Sequence, residues 1–319
     1  MGEPVVLAFD FGGSKIGIAV ADLEGRRLAE ATVATQAGRG AVWNLAQAVA
    51  RARELMAAGW AGSGEMELVA IGACTFGIPT DRGVLLAPAI PGWEALALHR
   101  ELMDAFQCRA VSLRTDVKAA AEAEARSGAL VGADPSIYLN LGTGLAVAIV
   151  CGGQVVNGAN GAAGEIGYNL RHDNDIDIVL TDMTRLEGVV SGMALAAAAG
   201  RVTGATLTAA QVFEAEPSND ALSAAVDDFV RELSFHLVNL CTAINPTRVA
   251  VGGGIVRSWA RIGPQLRRAL DTFVPFPPEL VPGAYPYDAA LVGAITLGLQ
   301  EASALEHSQP NPRPSPTAY

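Results

Sequence analysis

Apolar residues fall into two patterns along this chain: short unbroken runs that end in glycine, and longer stretches where they recur at helical spacing. The first run, residues 5–10, meets the turn signal Phe11-Gly12-Gly13-Ser14-Lys15 and resumes over residues 16–20, which predicts a β-hairpin with a third strand over residues 27–35. Residues 40–58 carry Val42, Leu45, Ala46, Val49 and Leu55 at helical spacing, and a buried strand is expected over 68–73. Later, a long amphipathic helix is predicted over 220–243, stopped by Asn245-Pro246. A buried strand over 248–251 then feeds Gly252-Gly253-Gly254 and a helix over 258–273, and an apolar helix follows over 288–304.

The opening hairpin recurs. Shifted by about 130 positions, Asp10 falls on Asn140, Gly12 on Gly142, Gly13 on Thr143, and residues 16–20 on 146–150. Two lobes of similar construction are therefore expected, which suits 319 residues that are half hydrophobic. The boundaries expected are 1–118 with the helix 288–304 for a smaller α/β domain, and 119–287 for a larger one. The Pro- and Ser-rich tail 306–319 is expected to be disordered.

Charge and cysteine usage narrow the function. Twenty-two basic against 33 acidic residues give a net charge of −11 with no Lys/Arg cluster, so nucleic acid is excluded as a partner. Cys74, Cys108, Cys151 and Cys241 are scattered, which fits reduced thiols and neither a disulfide framework nor a metal site. With no apolar stretch of about 18 to 20 residues and no leader pattern, a cytoplasmic protein without membrane contact is expected.

Three glycine turns, Gly12-Gly13-Ser14, Gly142-Thr143-Gly144 and Gly252-Gly253-Gly254, could each converge backbone N–H groups on phosphate oxygens, and each could equally be a plain tight turn. They are neither a Walker A loop nor a dinucleotide fingerprint. Asp10 ends its strand beside the first turn, where a carboxylate could hold Mg²⁺ through water or simply suit the turn. Lys15 either neutralises phosphate or lies on the hairpin surface. Thr115-Asp116 is a good helix-capping pair before an Ala/Glu-rich stretch, and Asp116 there is equally suited to accept a proton from a hydroxyl.

Taken in order, Asp10-Phe11-Gly12-Gly13-Ser14-Lys15, Gly77-Ile78-Pro79, Ile90-Pro91-Gly92-Trp93, Thr115-Asp116-Val117-Lys118, Leu141-Gly142-Thr143-Gly144, Gly158 to Gly167 and Val251-Gly252-Gly253-Gly254 resemble the ROK family of sugar kinases and repressors. The resemblance implies an α/β, two-lobed actin-like ATPase (ribonuclease H-like) fold with the active site in the interdomain cleft. It implies ATP and Mg²⁺ as cofactors and a sugar or sugar-like acceptor. Asp116 matches the catalytic base. By the same analogy Asp10, Gly12, Gly13, Ser14, Lys15, Gly142, Thr143, Gly144, Gly253 and Gly254 would handle the Mg-nucleotide, and Thr115, Glu165, Tyr168, Glu187, Gly77 and Pro79 the acceptor. A homodimer is expected.

Departures from the family pattern concentrate on the acceptor side. Tyr168 stands where the family commonly has His, Thr115 and Ala89 stand where it usually has Asn, and residues 169–186 hold none of the cysteines of the family's zinc loop. Zinc is therefore not expected. A buried polar site that lacks a partner for one substrate hydroxyl discriminates strongly, so an aminosugar or a C7-cyclitol joins plain hexose as an expected acceptor. With the Asp10 segment opening the sequence, DNA binding of the repressor kind is not expected. A sugar-binding regulator or sensor without kinase activity is the alternative.

Overall fold

The computed structural model describes residues 2–59, 66–179 and 185–308. The chain divides into two compact units, residues 1–119 with 293–319, and residues 120–292.

The first unit is built on a five-stranded sheet in the order β3-β2-β1-β4-β7. Its elements are β1 (Glu3–Phe11), β2 (Lys15–Asp22), β3 (Arg27–Ala34), α1 (Gly40–Ala58), β4 (Met66–Thr75), the small hairpin β5 (Ile78–Thr80) and β6 (Gly83–Leu85), α2 (Leu98–Phe106), β7 (Val111–Thr115) and the first turn of α3 (Asp116–Ser127), which belongs to the second unit from Ala120 onward. β1, β2 and β3 are antiparallel, whereas β1, β4 and β7 run parallel. Helices on a parallel sheet bury both faces of its strands, so these read as continuous apolar runs. Val5, Val6, Leu7, Ala8 and Phe9 are all fully buried. β3 is one of the two edge strands and alternates towards solvent.

The second unit repeats the plan with β8 (Ser136–Leu141), β9 (Leu145–Cys151), β10 (Gln154–Val155), α4 (Gly192–Thr203), α5 (Ala209–Ala215), α6 (Asp220–Ile244), β11 (Arg248–Gly252), α7 (Trp259–Phe273) and β12 (Glu279–Pro282), and α8 (Ala289–Ser308) begins in it and belongs to the first unit from Gly293 onward. The sheet order is β10-β9-β8-β11-β12, again with two antiparallel and two parallel pairings in the same sequence across the sheet. β8 thus takes the place of β1, β9 of β2, and β11 of β4, as the 130-residue repeat requires. α6 lays Leu222, Val226, Phe229, Leu233 and Leu237 into the core with Ile137, Leu139, Val249 and Leu266.

Two local expectations are corrected. The buried stripe of α1 is Ala41, Asn44, Leu45, Ala48, Val49, Ala52 and Leu55, while Val42 is 76% exposed and Ala46 is exposed. Asn44 accounts for the rotation: its side chain is fully buried because it bonds the Gln36 and Gly40 backbone, which turns Val42 outward. α8 runs to Ser308, past the expected start of the tail, and the remainder of the tail lies outside the described residues.

Candidate active site

In open α/β sheets, ligands bind beyond the carboxyl ends of the parallel strands. In the first unit those ends belong to β1, β4 and β7, whose register sets Asp10 beside Cys74 and Cys74 beside Arg114, then Phe11 beside Thr75 and Thr75 beside Thr115. β7 passes into α3 without a loop, so Asp116 is the first helical residue at the sheet's carboxyl edge. The Val117 N–H donates to Asp116 Oδ1 at 2.8 Å, and the Lys118 N–H to Thr115 Oγ1 at 3.3 Å. Both satisfy free amides of the first turn. Thr115 is buried, and its hydroxyl is a helix cap.

Electrostatics tie these strand ends together. Cys74 Sγ lies 3.5 Å from Asp10 Oδ1. Burial raises the Asp10 carboxyl, against the Cys74 hydrogen bond and the positive Lys15, which both lower it. Burial also pushes the Cys74 thiol well up, helped by the negative charges of Asp10 and Asp116. The thiol therefore stays protonated and acts as a donor.

Around this edge the apolar frame is tight. Trp93, fully buried, donates from Nε1 to Thr75 Oγ1 at 3.0 Å and packs against the Phe11 and Phe76 rings. Gly77 directly precedes β5, and Pro79 pairs with Val84 in the small hairpin. Gly13, Ser14 and Lys15 are exposed at the β1–β2 turn, where the Gly12 N–H bonds the Lys15 carbonyl.

In the second unit the Gly142-Thr143-Gly144 turn joins β8 to β9, closed by Gly142 N–H to the Gly144 carbonyl at 3.1 Å. Thr143 is exposed. The first turn of α4 caps onto it, with the Gly192 N–H on the Gly142 carbonyl at 2.8 Å. Gly253, at φ +86°, lies against the Leu141 carbonyl, so a side chain there would collide with the base of this turn. Gly254 faces open space. Two of the three glycine turns thus meet at one edge of the second sheet.

The acceptor candidates gather beside them. Glu187 Oε2 accepts the Leu145 N–H at 2.9 Å, and a Cβ on Gly144 would stand 2.5 Å from that oxygen. Glu165 precedes the short turn Ile166–Tyr168, which packs on the turn Leu186–Gly188 and on β9. The Val147 N–H to Gly164 carbonyl bond, 2.9 Å, fastens the segment to the strand. The Tyr168 ring carries the Arg185 guanidinium 4.3 Å from its centroid. Glu165, Tyr168, Glu187 and the Gly142 turn therefore form one cluster.

Sequence reasoning missed Cys74, Arg185 and the buried carboxylate of Glu124. Glu124 accepts the Ala129, Ala284 and Tyr285 N–H groups at 2.6 to 3.1 Å and so fixes the segment after β12. Nothing local marks Cys74, which is set beside Asp10 by the parallel register of β1 with β4. Among the described residues no group of three or more His, Cys, Asp or Glu could hold a metal ion. Asp10, partly buried at the carboxyl end of β1, is a carboxylate that could hold a divalent cation through water. Part of the stretch where the family has its zinc loop, 180–184, lies outside the described residues. No helix among the described residues is long and apolar enough to cross a membrane.

Comparison with known proteins agrees with this arrangement. The kanosamine kinase of Amycolatopsis mediterranei is 27% identical over 307 residues, covering 93% of this chain and 97% of the relative. The crystal structure of the ROK hexokinase from Thermus thermophilus superposes with TM-score 0.77 at 28% identity, over 94% of this chain and 99% of that one. A ROK family glucokinase from Streptomyces griseus, in complex with glucose and AMPPNP, gives TM-score 0.75 at 27% identity, over 93% and 99%. The ROK family model matches residues 6–301, and with the paired sheets and their glycine turns this places the chain in the ROK family.

Proposed function

We propose that this chain transfers the γ-phosphoryl group of ATP to a primary hydroxyl of a hexose or hexose-like acceptor, with Asp116 as the general base. The observation that carries the reading is the position of Asp116: first residue of α3, at the carboxyl edge of the first sheet, with its carboxylate set by the Val117 amide. The chain is an ATP-dependent sugar kinase of the ROK family.

In the proposed reaction the acceptor oxygen attacks the γ-phosphorus, the bond to the β–γ bridging oxygen breaks, and ADP leaves. Asp116 takes the hydroxyl proton late, since phosphoryl transfer depends mainly on positioning and charge stabilisation. Asp10 would hold Mg²⁺ through water, and the ion would supply charge neutralisation on the phosphates. The Gly142-Thr143-Gly144 turn would receive phosphate oxygens, and Gly253 and Gly254 would lie along the nucleoside. Gly12, Gly13, Ser14 and Lys15 would also serve nucleotide binding. Thr115 serves this scheme by starting α3, which aims Asp116.

Glu165, Tyr168 and Glu187 would read acceptor hydroxyls, and Gly77 and Pro79 would also serve acceptor binding. Tyr168 and Thr115, which differ from the residues the family commonly has there, support an acceptor other than plain glucose, and the kanosamine kinase relative puts an aminosugar first among those to test. Coupled ADP release measured across hexoses, N-acylhexosamines, aminosugars and cyclitols decides the matter. Acceptor-dependent release with one phosphate incorporated per ADP is expected. Sugar binding without release from any acceptor would leave the chain a sensor, and a kcat/KM for glucose far above all others would remove the altered-acceptor reading.

A further inference from the structure

Between Tyr168 and the long helix α6 runs a second set of contacts that the proposed chemistry does not use. Arg171 Nε donates to Glu232 Oε1 at 2.7 Å, with only 20% and 18% of the two side chains exposed. The backbone of Arg171 is fixed as well: its N–H and that of His172 donate to Asp175 Oδ2 at 2.8 and 3.0 Å. Glu232 sits on the rigid 25-residue α6, one turn before the buried His236, whose Nε2 is 3.9 Å from the same carboxylate oxygen. That imidazole nitrogen has no hydrogen-bond partner among the described residues, so Arg171 is the cation bonded to Glu232.

We infer that Arg171 and Glu232 form a clamp that positions the Tyr168 segment against the second unit's core, making both of them positioning residues for acceptor selection. The segment from Gly164 to Arg171 is tied to β9 at one end, by the Val147 amide, and to α6 at the other, by this ion pair. Between the ties lie the turn Ile166–Tyr168 and its amide bonds, Tyr168 N–H to the Glu165 carbonyl and Asn169 N–H to the Ile166 carbonyl. Cutting the α6 tie frees one end of the stretch that carries Glu165 and Tyr168. It also leaves a charge largely buried without its partner, which is why the pair persists. The Gly142 turn and Gly253 are held by bonds of their own, so nucleotide handling does not depend on the clamp.

The acceptor part of this inference rests on the proposed kinase reading, and two measurements separate them. Hydrogen exchange is followed at the amides of Tyr168, Asn169 and Arg171, with β8 and β9 as internal controls, in Arg171→Ala, Glu232→Gln and the double swap R171E/E232R. Exchange is expected to quicken in the single variants and recover in the swap, with the strand amides unchanged. The same variants are assayed kinetically: acceptor KM is expected to rise on the order of tenfold, with ATP KM within about twofold. Unchanged exchange in the single variants overturns the clamp. So does a parallel rise of both KM values, which marks a merely structural loss. Absence of acceptor-dependent ADP release from the parent protein overturns the kinase reading and the acceptor role together, while exchange still decides whether the pair holds the segment.

Discussion

Cys74 Sγ and Asp10 Oδ1 stand 3.5 Å apart, brought together by the parallel pairing of β1 with β4 at the carboxyl edge of the first sheet. Burial and two neighbouring carboxylates keep this thiol protonated, and the thiolate is the reactive form of cysteine. Cys241, pushed by burial up to about 12, is equally inert. Cys151 is exposed at the end of β9. Alkylation of the folded protein at pH 8 is therefore expected to label Cys151 and spare Cys74 and Cys241, with all four cysteines labelled after denaturation. Mass spectrometry of peptides checks this, and labelling of Cys74 in the native protein would contradict the described packing.

Asp116→Asn keeps the size of the side chain and an oxygen able to accept the Val117 amide, so α3 should start where it does now. What it removes is the proton acceptor. Nucleotide and acceptor affinities are expected to hold while kcat falls by on the order of 10² to 10⁴. Steady-state kinetics beside calorimetric binding make the split visible. Near-normal turnover removes Asp116 from the mechanism.

What could be read from the residues, and what could not, follows sequence separation. Glycine turns, the hairpin at residues 5–20 and the α3 start are local, so turn chemistry and capping identify them. The matching order of the two sheets was legible through the 130-residue repeat, since glycine and apolar period survive where side chains diverge. By contrast Cys74 meets Asp10 across 64 residues and Arg171 meets Glu232 across 61. Only strand register and helix packing create those pairs. Val42 shows the same limit at short range: its apolar character fitted the stripe, but the hydrogen bonds of Asn44 decided which face turned inward.

Gly253 and Gly254 are adjacent in sequence and opposite in constraint. At φ +86° and ψ 169°, Gly253 occupies a backbone region closed to other residues, and a Cβ would strike the Leu141 carbonyl. Gly253→Ala should cost roughly 3 kcal/mol and disturb the Gly142 turn with it. Gly254→Ala meets nothing within 4 Å and should leave stability within about 0.5 kcal/mol. If the nucleoside lies over Gly254, its added methyl raises ATP KM without touching the melting temperature. Thermal melts and ATP titrations of the two variants are compared, and equal destabilisation by both would contradict the difference in backbone geometry.

His236 supplies a pH dependence whose sign can be worked out. Burial lowers its pKa below the usual value; Glu232 opposes this, and Arg171 and His172 reinforce it. The unfolded chain, with an ordinary histidine near 6.5, therefore takes up a proton before the folded protein does. As pH falls through about 6.5 the unfolded state is favoured, and this loss continues until the folded pKa is reached. Above about 6.5 the group is neutral in both states and adds no slope. Replacing it with leucine, which suits the apolar stripe of α6 beside Leu233 and Leu237, removes that proton uptake. Melting temperatures measured from pH 8 to pH 5 should fall less steeply in His236→Leu than in the parent. The two curves should differ in slope only on the acid side, and a steeper acid loss in the variant would mean that His236 gains rather than loses proton affinity on folding.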